Sequence, residues 1–466
     1  MKKGYITVLF SVATALSMSL LITMFYSVRS SATRMKAVLA TDTAMTSCFA
    51  EYSKALWERF DLLFVDAGYM TEVSGLALSE EHLRNCINKN FDECELGLLG
   101  GKDLLKLKCT EAEATAVCLA SDDKGAAIKL QAVNLMKYHY KLAYVKETEE
   151  LFDRIESYGL SGGISYDAAY EAAGELEKYK IDYSGWLPSV TGGNDISEDT
   201  PAPLSILNFV TDGGYSLTKV NGDLYAAKRK LNRGNLEKEN KGNITDIFFL
   251  REYMMRYLGN YQNTRDDGLL SYQVEYLCSG KDSDCDNLAS VARRILVIRE
   301  AANLNTFMGD ETRRSAVEAF CAGVCALFSA PPEVAKILET LIIAWWVNYE
   351  SLTDVRIIMA GGKIPLIKTP AEWITGLGSL LGGNMDPKEH KEGLGYTDYL
   401  RVFLYTTGEK KIMKRFMSIA EMDVRKIPGN EWFRVDNCFD EWQVNITMIS
   451  DHGYTYNAAR RRRMIN

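Results

Sequence analysis

The stretch MKKGYITVLFSVATALSMSLLITMFYSVRSSATR, residues 1–34, decides what the rest of the chain can be. After Lys2 and Lys3 no charge appears until Arg29, leaving about 24 uncharged residues from position 5 to 28. At about 1.5 Å per residue, a helix of that length covers about 36 Å, more than the roughly 30 Å hydrocarbon core of a bilayer. A cleaved secretory peptide carries an apolar region of only about 7 to 15 residues before a small-x-small site, so Ser30-Ser31-Ala32 follows too long a run. We expect residues 5–28 to be retained as the single membrane span, rather than cleaved or folded into a soluble core. Lys2 and Lys3 on one side face Arg29, Arg34 and Lys36 on the other, so charge does not orient the span. Ten cysteines in the large remainder favour an oxidising compartment, which puts the short tail inside and the bulk of the chain outside.

Beyond the span the pattern is amphipathic. Val38, Asp42, Met45, Phe49, Tyr52, Leu56 and Phe60 recur at three- and four-residue steps, which predicts a stalk helix running on to position 60, with Asp42 as a polar intruder. DLLFVDAGY, residues 61–69, then reads as a strand and turn. At the other end of the chain Trp442, Val444, Ile446 and Met448 alternate with Gln443, Asn445 and Thr447, and a second strand follows His452-Gly453. An isolated hairpin is marginal in water. We therefore expect residues 61–66 to join residues 442–449 and 454–464 in one sheet, with the intervening helices inserted into that frame.

The fold class expected is α+β and predominantly helical: a transmembrane helix, a stalk helix, and an antiparallel sheet involving the carboxy-terminal hairpin. The divisions expected are residues 1–28 as leader and anchor, 29–66 as stalk and first strand, 67–203 as a cysteine-containing helical region, and 204–466 as the main α+β domain. Helices are predicted at 129–158, 166–179, 284–308, 312–328, 332–359, 396–406 and 409–426, and a half-buried strand at 269–277. Residues 184–203, rich in Gly, Pro, Ser and Asp, read as a linker, and 229–243 as a solvated loop. The apolar run 341–347 is too short for a second span and reads as a buried core helix.

Composition excludes some classes. With 47% hydrophobic and 25% charged residues the chain can bury a sizeable core, and a net charge of -8 gives no general basis for binding nucleic acid. The run Arg460 to Arg463 reads as a solvated end or a partner for acidic residues on the same surface. None of His82, His139, His390 and His452 sits in a zinc motif, so no metal is expected. Gly361-Gly362-Lys363 lacks the P-loop hydroxyl, Gly376-x-Gly378 lacks a third glycine, and no G-x-S-x-G occurs, so neither a cofactor nor an enzymatic activity is expected. The cysteines cluster in sequence, and outside the cytoplasm Cys86 with Cys94, Cys109 with Cys118, and Cys278 with Cys285 read as local disulfides. Cys321 with Cys325 is the least secure pair, and small buried apolar thiols are the alternative throughout.

Lys2, Lys3 and Gly4 before the span, followed by Tyr5, resemble the leader of the tight-adherence (Tad) pilus proteins TadE and TadG, which implies processing after Gly4. Leu9 stands where pilins carry a glutamate, so that cleavage stays open. CFAEYSKALWERFDLLFVDAGY, LLSYQVEYLCSGKDSDCDNLASVARRILVIREAANL, GGKIPLIKTPAEW and YTDYLRVFLY resemble an uncharacterised family of membrane-anchored proteins of Gram-positive bacteria with Tad-pilus-like genes. The resemblance implies a structural or assembly protein of a surface pilus or related secretion system, with membrane and protein partners. The alternatives are a membrane-tethered binding or sensory module with no pilus role and, ranked last, an extracellular hydrolase.

Overall fold

The computed structural model describes residues 3–92, 106–139, 203–236, 244–265, 267–378, 392–451 and 453–464. They form two compact units, Met1–Gln131 with Lys230–Lys241 and Val424–Asn466, and Ala132–Arg229 with Gly242–Asp423. Both are discontinuous in sequence, so linear divisions at 66/67 and 203/204 do not describe them.

The first unit is organised by helix α1, Lys3–Ala50. Its side chains from Tyr5 to Val28 are exposed, and burial then begins at Thr33 and repeats at Ala37, Ala40, Thr41, Ala44, Met45, Cys48 and Phe49. That three- and four-residue recurrence lines one face of a helix, and its alanines let the backbone approach whatever it covers. Two of the predicted stripe positions, Met45 and Phe49, lie on this face, but Asp42 points away and accepts a hydrogen bond from Arg460 Nε at 3.2 Å. The stalk also stops earlier than predicted. Residues 51–53 break the helix, because the Ser53 N–H donates to the Phe64 carbonyl at 2.8 Å while its side chain caps the start of α2, Lys54–Phe60. Asp61, in the left-handed region at φ 51°, ends α2.

The sheet has four antiparallel strands, β1 (Val65–Asp66), β2 (Leu107–Leu119), β3 (Cys438–Ser450) and β4 (Thr455–Arg463). β3 is the centre. It pairs β2 from Leu107↔Ser450 to Leu119↔Phe439, β4 from Glu441↔Arg463 to Ile449↔Thr455, and β1 at Val65↔Phe439 and Asp66↔Cys438. The two ends of the chain thus share one sheet, as the alternating residues at 442–448 predicted. Trp442, Val444, Ile446 and Met448 are buried, and one apolar core joins them to the α1 stripe and to Leu83, Ile87 and Phe91 of α3, Ala77–Asp92.

The free edge of β2 is covered by side chains. Glu80 accepts from the Ala114 N–H at 2.8 Å, the Asn88 side chain pairs with both backbone groups of Cys109, and at Val117 the Asn235 side chain accepts the N–H while the Asn235 backbone N–H donates to the carbonyl. Residues 231–236 form a loop, as expected, with Asn232, Arg233 and Asn235 exposed and its backbone held against the edge of β2. Gly234 lies so close to Val117 that a Cβ would meet its carbonyl oxygen at 2.3 Å, which only glycine avoids. Capping the edge this way removes a template for strand addition.

The second unit is helical. It contains most of α4 (Ala126–His139), then α5 (Pro203–Val210), α6 (Ile244–Tyr257), α7 (Gln273–Ser279), α8 (Asp284–Gly309), α9 (Glu311–Leu327), α10 (Pro332–Met359), α11 (Tyr396–Thr406) and most of α12 (Glu409–Lys426). α8 to α12 occupy the predicted segments to within about a residue. Leu341, Ile342, Trp346 and Val347 are buried with Phe307, Val317 and Trp373, so α10 is a core helix and not a second span.

The predicted strand at 269–277 is instead a turn and helix α7. Every residue from Tyr272 to Cys278 is buried, so the polar members of the alternation face protein and not water. Gln273 donates to Asp423, Glu275 accepts from the Tyr396 hydroxyl, and the Asp284 carboxylate accepts the Ser271 and Tyr272 N–H groups. The predicted helix at 166–179, most of the linker at 184–203 and the later part of 129–158 lie outside the described residues.

Candidate membrane and assembly interface

The candidate interface is α1 where its exposed half gives way to its buried half. Among the described residues α1 is the one helix long and apolar enough to cross a membrane. Lys3 and Gly4 lie in its first turn, Tyr5 is 80% exposed, and Lys2 is outside the described residues. The exposed run ends at a cleft of about 300 Å³ between α1 and the β3–β4 turn, lined by Tyr26, Ser27, Arg29, Ser450, Tyr454 and Tyr456. Tyrosines and a first cation at the end of an apolar run suit the boundary between hydrocarbon and headgroups.

Three of the four arginines in the run have acidic neighbours within the unit. Successive residues of β4 point to opposite faces, so Arg460 reaches Asp42 on α1, while Arg461, at 2.6 Å, and Arg463, at 3.9 Å, reach Glu441 on β3.

The described cysteines are all unbonded thiols. Cys109 and Cys118 stand nine positions apart on the one extended strand β2, which at about 3.3 Å per residue separates them by roughly 30 Å, and a bridge spans less than about 7 Å between Cα atoms. That predicted pairing is corrected by the strand itself. Cys278 is buried in α7, and the Cys285 sulfur lies 3.3 Å from Ser283 Oγ in the first turn of α8. Cys321 and Cys325 are buried separately in the core against α10. Cys94 is outside the described residues, but Cys86 packs against the core that holds a different cysteine, Cys48 of α1.

The buried polar groups of the second unit bond to one another. Asp354 accepts from Arg299 Nε and Nη2 at 3.0 and 2.8 Å and from Lys368, which also donates to Glu350. Glu350 in turn accepts from the Ile374 and Thr375 backbone N–H groups at 2.9 and 2.8 Å, and all four charged side chains are fully buried. Sequence reading had no sign of this cluster, because its members lie up to 69 positions apart on helices and a following loop. Among the described residues no set of three His, Cys, Asp or Glu side chains is placed to hold a metal ion.

These features define an α+β protein in which one long apolar amino-terminal helix feeds directly into a small antiparallel sheet, with a helical body inserted between its strands. Residues 202–450 match a family of unknown function, DUF5702, and the chain belongs to it. The matched region covers most of the helical unit and ends with β3, the strand that holds the sheet together. No curated protein and no solved structure matches the chain.

Proposed function

We propose that the protein is a membrane-anchored structural or assembly component of a Tad or type IV-like pilus, or of a related surface secretion system, with its bulk outside the cytoplasm. The observation that carries this reading is the single continuous helix α1, exposed and apolar through position 28 and then packed by an alanine-rich stripe against the sheet. A helix of that build transmits position from the bilayer to the displayed unit without a flexible joint. The leader Lys2-Lys3-Gly4 before Tyr5 supports processing by a prepilin-type peptidase. The chain acts by placement and contact rather than by catalysis, a view supported by the mutual pairing of Arg299, Lys368, Glu350 and Asp354.

Three measurements test it. Carbonate extraction of membranes should leave the protein in the pellet, and release of a soluble product starting near Thr33 would overturn the anchor. Amino-terminal sequencing of the mature protein should read from Tyr5, and deletion of the gene should abolish surface filaments. Filaments that form normally without it would favour a tethered binding module.

A further inference from the structure

The cysteine pair that sequence spacing did not suggest is Cys48 with Cys86. Cys48 is 2% exposed in the last turn of α1 and belongs to the apolar core against which the partly buried Cys86 of α3 packs. The packing of the helices places them near one another. Near one end Lys36 of α1 lies over the Phe91 ring of α3, and at the other His82 Nε2 lies 2.9 Å from Glu51 Oε1. The helices are therefore antiparallel. Cys48 is three positions before Glu51 and Cys86 four positions after His82, so a single turn back along each helix brings the cysteines opposite one another. The Tyr69 hydroxyl, donating to Glu51 at 3.2 Å with its ring tilted against His82 at 5.2 Å, closes the other side of the group.

We infer that Cys48 and Cys86 form a disulfide that staples the juxtamembrane part of α1 to α3. The inference rests on the extracytoplasmic placement proposed above for the oxidant it requires, an oxidised small-molecule disulfide or a disulfide-carrying oxidoreductase. The more exposed Cys86, as thiolate, attacks a sulfur of the oxidant and expels one thiol. Cys48, as thiolate, then attacks Cys86 in the mixed disulfide and expels the second. Two protons and two electrons leave the protein, and the oxidant's disulfide ends as two thiols. Burial pushes the Cys48 thiol up to about 12 and raises Cys86 as well, so the pair suits a fixed bond better than a reactive dithiol. The link closes a loop of about 38 residues across the break at 51–53 and strand β1.

The full chain, extracted from membranes in detergent with free thiols alkylated at lysis, is digested with trypsin without reductant. The expected product is residues 37–54 joined to residues 85–89, and it disappears in Cys86→Ala. Reduction should lower the melting temperature of the sheet unit by roughly 10 °C in the parent protein and leave Cys86→Ala unmoved. A second arm treats the purified, folded protein with oxidised glutathione before alkylation. A linked peptide in that arm alone upholds the pairing and overturns the extracytoplasmic placement. Both cysteines alkylated in both arms, or Cys86 recovered joined to Cys94, overturns the pairing.

Discussion

Glu275 is the residue whose surroundings depart furthest from its sequence context. It is fully buried in α7, one carboxyl oxygen accepts from the Tyr396 hydroxyl at 2.6 Å and the Tyr261 N–H at 2.8 Å, and the other, Oε2, has no partner among the described residues. Burial raises its pKa from 4.5 to about 7, against those two hydrogen bonds, which lower it. The folded state then holds a proton that the unfolded chain releases near 4.5. The stability contributed by this group is full below that pH and is lost as pH rises through about 7, by at most about 3 kcal/mol. Glu275→Gln, which cannot ionise, should remove this slope. Urea denaturation of parent and variant at intervals from pH 4.5 to 8 should show the variant gaining relative stability as pH rises, and parallel curves would mean that Glu275 stays charged. None of this is legible in SYQVEYLCS, residues 271–279, where an apolar/polar alternation has the period of a half-buried strand. The pattern misleads because Gln273 and Glu275 find their partners in distant segments, at Asp423 and Tyr396. The cysteines failed similarly: nearness in sequence separates Cys109 from Cys118 along one strand, and the contact between Cys48 and Cys86 exists only once two helices pack.

Among the elements, those with a strong period of their own were legible and those shaped by a partner were not. α10 carries Pro332 at its first turn, α11 carries an apolar stripe with a following break, and the ends of both fall at the predicted positions. The end of α1 at Ala50 was hidden, since the apolar spacing continues through Leu56 and Phe60 and the break is made by the Ser53–Phe64 hydrogen bond, a tertiary contact. What α1 contributes can be measured at Phe49, whose ring packs edge-on against Phe439 at 5.8 Å and Trp442 at 6.3 Å. Phe49→Ala should cost about 3–5 kcal/mol of sheet-unit stability in chemical denaturation. Asp42→Asn, which loses only a half-exposed pairing with Arg460, should cost less than about 1 kcal/mol. Equal effects would mean that α1 is held by its charges and not by its stripe. In the helical unit, α8 and α10 are tied through Asp354. Asp354→Ala would leave Arg299 without its carboxylate and Lys368 with one of two, both fully buried, and should cost about 3–5 kcal/mol in the same measurement.

For the whole molecule the decisive fact is that one late strand organises the sheet. Among the described residues β1, β2 and β4 all pair with β3 and none pairs with another of the three, so the frame built on the first 131 residues is incomplete until residues 438–463 are in place. That return of the chain was legible, because the alternation at 442–448 is a strand pattern with no nearby partner and the strand at 61–66 lacks one too. The helical unit has its own core around Phe307, Trp346 and Trp373 and its own buried ion network, none of whose members lies in the sheet. A proline in β3 separates these two sources of stability. Val444 is fully buried and pairs Ala114 on one side and Arg460 on the other, so Val444→Pro removes a ladder donor and constrains the backbone at the middle of both pairings. Hydrogen exchange followed by peptide mass spectrometry should show amides of 107–119 and 455–463 losing protection by several orders of magnitude. Amides of 284–309 and 332–359 should keep theirs. If protection falls equally in all four segments, the units unfold as one cooperative body, and the helical insertion depends for its stability on the frame that carries it.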